Sequence, residues 1–136
     1  MSNLDLRVHP TLEAASRKLA ERVARDLRES VDERGSATLA LSGGSTPKHL
    51  HETLARKHPT IPWQQVHIFW GDERFVPRDS EWSNYRMARE TLLDQIPIPR
   101  ANLHPWQTEM SDPKATALAM QVEMERVFGC SALQGS

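Results

Sequence analysis

Residues 37–47 read Ala37-Thr38-Leu39-Ala40-Leu41-Ser42-Gly43-Gly44-Ser45-Thr46-Pro47. The first five form an apolar run without alternation, which predicts a strand covered on both faces. Glycines and hydroxyls then predict a tight turn. Pro47 suits the first turn of a helix reaching about Lys57, capped by Ser45 or Thr46, with Leu50 and Leu54 on its buried side. A strand that turns through glycine into a helix presents unpaired backbone N–H groups and the positive end of a helix dipole. That chemistry suits an anion, a phosphate above all. The stretch is not a Walker loop, since no Gly-Lys-Ser/Thr follows, nor the dinucleotide pattern G-x-G-x-x-G. Taken alone, it also serves an ordinary strand-to-helix turn.

Working outward, Val66–Trp70 reads as the next buried strand, followed by a polar loop from Gly71 to Trp82. Upstream, Leu4–Val8 is a candidate first strand. Leu12, Ala15, Leu19, Val23, Leu27 and Val31 recur at helical spacing, with Pro10 in the first turn and Gly35 as the stop. Downstream, Ser83 caps a third helix reaching about Gln95, with Met87, Ala88, Leu92 and Ile96 inward. Prolines 97, 99 and 105 keep 96–105 irregular, with a short strand within Asn102–Trp106. Asp112 and Pro113 begin a fourth helix whose inward side is Ala115, Leu118, Val122 and Phe128. Strands alternating with helices imply a parallel sheet with right-handed crossovers, here one α/β domain over 1–136.

The second informative loop is Gly71-Asp72-Glu73-Arg74. Both loops leave the carboxyl ends of strands, where open parallel sheets gather their ligands. If the strands are neighbours, the Arg74 guanidinium reaches an anion held by the first loop, and Asp72 orients Arg74 or accepts from sugar hydroxyls. The alternative is a surface ion pair of little energetic weight.

Composition narrows the classes. The 136 residues suffice for one modest core, with a formal net charge of −1. Neither half is basic enough for nucleic-acid binding by bulk electrostatics. No apolar run approaches the roughly 18–20 residues of a membrane span, and the first residues lack a signal-peptide core. Cys130 is the only cysteine, which excludes a disulfide framework and a cysteine zinc site and fits a reducing cytoplasm.

Leu41–Lys48, Val66–Pro77, Ser83-Asn84-Tyr85 and Leu92-Leu93 together resemble 6-phosphogluconolactonase, in the superfamily that also holds the glucosamine-6-phosphate deaminases. The deaminases share a Gly-Ser-Thr-Pro loop but usually carry an acidic pair followed by Tyr in the second loop, so the lactonase side is the better match. The resemblance implies a Rossmann-like parallel sheet with flanking helices. It also implies hydrolysis of 6-phosphoglucono-δ-lactone in the pentose phosphate pathway, with no metal or cofactor and a small phosphosugar as the partner. Gly43, Gly44, Ser45 and Thr46 would line the substrate and phosphate pocket, Asp72 and Arg74 would bind or organise substrate, and Asn84 matches a further family position.

The family's third motif, approximately Gly-x-Gly-x-Asp-Gly-His-Thr-Ala-Ser, is absent from these 136 residues. Its His is the expected general base, whose loss typically costs about 10²–10⁴-fold in rate. The chain therefore reads as a truncated, N-terminal part of a longer lactonase domain, weakly active or inactive by itself. Its own histidines are poor substitutes: His67 lies within a strand, His49 and His51 follow the phosphate loop, and His9, His58 and His104 neighbour prolines and read as surface. The thin sheet should expose an edge or an apolar face, and so associate with itself or with a missing half. Two other readings stay open: a non-catalytic phosphosugar-binding module, and a deaminase relative.

Overall fold

In a computed structural model, residues 3–57 and 60–129 are described. Helix α1 (Leu12–Arg34) leads into strand β1 (Ala37–Leu41), helix α2 (Ser45–Lys57), strand β2 (Val66–Trp70), helix α3 (Asn84–Thr91), strand β3 (Leu103–His104) and helix α4 (Pro113–Phe128). The strands form one parallel sheet in the order β1-β2-β3. Local signals set most boundaries. Thr11 caps α1 by accepting from the Ala14 N–H, and Gly35 ends it at φ 81°, a left-handed conformation that favours glycine. Ser83 caps α3 and Asp112 caps α4, with Pro113 in the first turn.

The core lies on one side of the sheet. Ala37 and Leu41 of β1 and Val66, Ile68 and Trp70 of β2 pack with residues of α1, α2 and α3. Ala20 and Ala24 of α1 are fully buried, so this helix seats on small residues, while Leu12 and Leu19 stay about half exposed. The apolar stripe of α1 is thus wider than the face the core uses. On the sheet's other side, among the described residues, α4 packs. Phe69 stacks on His104 and on Phe128. The His104 Nδ1 lies 2.9 Å from the Glu123 carboxylate of α4, and its Nε2 lies 2.9 Å from the His67 Nδ1. Arg126, foremost, and then His104 hold the Glu123 carboxyl below the usual carboxylate range.

Several expectations are corrected. Leu4–Val8 forms no strand, and its three apolar side chains are exposed, because no sheet edge pairs with it. Strand β1 is covered on one face only, with Thr38 and Ala40 exposed. In α4 the buried positions are Thr116 and Met120, whereas Leu118 and Val122 are exposed. The third helix stops at Thr91 and continues as a 3₁₀ turn, Leu93–Gln95. His104 is buried rather than at the surface, held by the His67 and Glu123 bonds. His58 and Cys130 fall outside the described residues. Among the described residues, no helix is long and apolar enough to cross a membrane.

His51 of α2 is buried, with its Nδ1 3.3 Å from the Thr91 hydroxyl. Burial pushes its imidazole down to about 4, against the attraction of Glu52. The unfolded chain takes up this proton near pH 6.5, the folded chain only near 4. Stability is therefore full above the unfolded value and falls as pH drops toward 4, by roughly 3 kcal/mol. Urea midpoints recorded from about pH 7 to 4.5 should decline in the wild type and decline much less in His51→Gln; parallel curves would remove His51 as the cause.

Candidate functional site

Strands β1 and β2 lie side by side in parallel, with Leu41 opposite Trp70. The two informative loops therefore leave the same end of the sheet. The Gly71 N–H donates to the Leu41 carbonyl at 2.9 Å, joining the loops at their roots. In the first loop Gly44 adopts φ +105°, which favours glycine. Helix α2 starts at Ser45, two residues before Pro47, so Ser45 and Thr46 belong to its first turn. That turn carries no acidic residue. Among the described residues, nothing accepts from the Gly44, Ser45 or Thr46 N–H groups. Ser45 and Thr46 are exposed, leaving these donors accessible to an anion.

In the second loop the organising residue is Glu73, which the sequence reading passed over. Its carboxylate accepts from three backbone N–H groups: Arg74 at 2.9 Å, Asn84 at 2.7 Å and Tyr85 at 2.8 Å. The last two belong to the first turn of α3, so the carboxylate supplies the charge and acceptors that a helix start favours. No local signal marks this, since the partners lie eleven and twelve residues away.

Asn84 is buried and joins the loops. Its side-chain amide donates to the Asp72 carbonyl at 3.2 Å. A Cβ built on Gly43 would sit 2.0 Å from the Asn84 Oδ1, so only glycine lets loop and side chain meet. Gly43, Asp72 and Asn84 are thus brought together. The Asp72 side chain is exposed and forms no hydrogen bond or ion pair with Arg74; what it contributes to the junction is its carbonyl. Arg74 is exposed, and its guanidinium has no protein partner among the described residues. It lines a cleft of about 190 Å³ with Phe75, Trp106, Thr108, Pro113 and Thr116. The Thr108 hydroxyl in that cleft is buried without a partner, a polar feature the sequence did not flag. Among the described residues no cluster of His, Cys, Asp or Glu is arranged to hold a metal.

The Gly43–Asn84 approach gives a direct test. Gly43→Ala should destabilise the chain by about 1–3 kcal/mol. Adding Asn84→Ala opens the space, so the double variant should be less destabilised than the sum of the single changes. Additive losses in urea unfolding would show that the two positions do not meet.

The model for the family described as glucosamine-6-phosphate isomerases/6-phosphogluconolactonase matches residues 10–135. A 6-phosphogluconolactonase of Synechocystis is 47% identical over 106 residues, which is 78% of this chain and 43% of the relative. A solved 6-phosphogluconolactonase from Shewanella baltica superposes with a TM-score of 0.77 at 37% identity, covering 85% of this chain and 48% of that one. The enzyme from Trypanosoma cruzi gives a TM-score of 0.80 at 28% identity, over 95% and 52%. The chain spans about half the length of the relatives it matches. In sequence and in fold it belongs to the glucosamine-6-phosphate isomerase/6-phosphogluconolactonase family.

Proposed function

We propose that this chain supplies the phosphosugar-binding half of a 6-phosphogluconolactonase, which hydrolyses 6-phospho-D-glucono-1,5-lactone to 6-phospho-D-gluconate. One observation carries the reading: the open N–H groups of Gly44–Thr46 and the Asp72-Glu73-Arg74 loop are joined at one end of the sheet through Asn84. The helix start takes an anion through backbone donors, and Arg74, free of protein partners, can add bidentate contact to a phosphate. Asp72 faces solvent and can accept from the sugar hydroxyls. Gly43 and Asn84 act by holding the two loops together. The activity of relatives named 6-phosphogluconolactonase, and a cytoplasmic setting, are carried to this chain as part of the same proposal.

The hydrolytic step needs a base to take a proton from water as it attacks the lactone carbonyl, and donors for the oxyanion that forms. Among the described residues, no histidine bonds to any of the seven candidate positions, Gly43, Gly44, Ser45, Thr46, Asp72, Arg74 and Asn84. His51 and His104 are buried and occupied elsewhere. This favours a second reading for the 136 residues in isolation, a phosphosugar binder without catalysis. The deaminase reading has no comparable support, since the second loop here ends in arginine.

Titration calorimetry with 6-phosphogluconate tests the binding reading. The chain should bind it, and Arg74→Ala should weaken binding at least tenfold while leaving the unfolding free energy within about 0.5 kcal/mol of wild type. Unchanged affinity removes Arg74 from the site, and no binding by the wild type removes the proposal. Fresh lactone should hydrolyse no faster with the chain alone than spontaneously. A clear rate above background would instead require a base among these 136 residues.

A further inference from the structure

Helix α4 sits on the sheet with little apolar burial. Of its 16 residues only Thr116 and Met120 are buried, while Leu118, Val122 and Phe128 are about half exposed or more. A polar chain ties it across the strands. His67 of β2, His104 of β3 and Glu123 of α4 are linked in series. The His67 Nδ1 lies 2.9 Å from the His104 Nε2, and the His104 Nδ1 lies 2.9 Å from the Glu123 carboxylate. His104, in the middle, is buried. Arg126 of α4 donates to the same carboxylate oxygen and keeps Glu123 ionised. On the far side of β2, strand β1 adds no charge, since it sets Thr38 beside His67.

The geometry fixes how many protons this chain of bonds holds. An ionised carboxylate only accepts, so the His104 Nδ1 carries a proton and donates to Glu123. Between the two imidazoles a single proton makes the bond. Either neutral His67 donates to neutral His104, or His104 as an imidazolium donates to neutral His67. Two imidazolium rings would set N–H against N–H across 2.9 Å. We infer that His67, His104 and Glu123 form a proton-sensitive latch, which holds α4 on the sheet while at most one imidazole is charged and releases it when both are. Burial foremost, then His104 and Arg126, holds the His67 imidazole below its usual range. The released chain therefore takes up the second proton more readily than the docked one. Docking is full above the unperturbed imidazole value of about 6.5 and weakens as pH falls below it. Pro113 and Thr116 of α4 also wall the Arg74 cleft, so the release reaches the candidate site. The latch itself does not rest on the proposed function.

Amide hydrogen exchange of the 136-residue chain, corrected for its intrinsic pH dependence, tests the latch from about pH 7 to 5. Protection in α4 should fall about tenfold or more relative to the buried Ala20 and Ala24 of α1. His67→Gln cannot take up the second proton and should remove that fall, whereas His51→Gln should leave it in place. Nitrogen-15 shifts of the wild-type imidazoles give a reading independent of any variant: at neutral pH the His104 Nδ1 should be protonated. Three results would overturn the inference: α4 protection that tracks α1 at every pH, an equal fall in His67→Gln, or a bare His104 Nδ1.

Discussion

The Glu73 carboxylate is the constraint on which the rest of the site depends. Three backbone N–H groups from two separate segments converge on it. Hydrogen bonds to a charged acceptor contribute more than neutral ones, about 1.5–3 kcal/mol each. Their joint effect is to pin the start of α3 against the loop after β2. With α3 so placed, Asn84 falls between the loops, its amide on the Asp72 carbonyl and its oxygen against Gly43. The glycine at position 43 is then a steric requirement imposed by a residue forty-one positions later. The glycine loop meets Asn84 because α3 is held in place, so the two loops form one structural unit.

The chain's packing is one-sided. Helices α1, α2 and α3 bury one face of the sheet, while among the described residues the other carries α4, fixed through the Phe69–Phe128 stack and the His67–His104–Glu123 bonds. A parallel sheet is ordinarily covered on both faces. Here Thr38 and Ala40, half of Leu19 and much of Leu118 and Val122 meet solvent. These exposures lie on the edge strand β1 and on the outer sides of α1 and α4.

Much of the fold was legible in the sequence because its signals are local. Gly35, Ser83 and the Asp112–Pro113 pair announce helix ends within a turn of the event they cause. The apolar runs at 37–41 and 66–70 became strands with the expected bounds. What failed was anything set by distant partners. The apolar stripe of α1 suggested that Leu12 and Leu19 were core, yet the sheet accepts the smaller Ala20 and Ala24. His104 beside Pro105 looked like surface, and only the strand pairing and Glu123 bury it. At the site, glycines and hydroxyls pointed to the turn between β1 and α2, and the strand pairing sets the Asp-Glu-Arg stretch beside it. The role of Glu73 was hidden because a carboxylate that caps a remote helix reads locally as one more charge in a polar loop.

The proposed function requires the two joined loops to act as one site for a phosphorylated sugar. Backbone amide shifts of the chain during titration with 6-phosphogluconate test it most directly. A shared site gives saturable shifts concentrated at Gly44, Ser45 and Thr46 and at Asp72 and Arg74, all following one binding curve. Shifts confined to one loop, or scattered over residues remote from both, would contradict it.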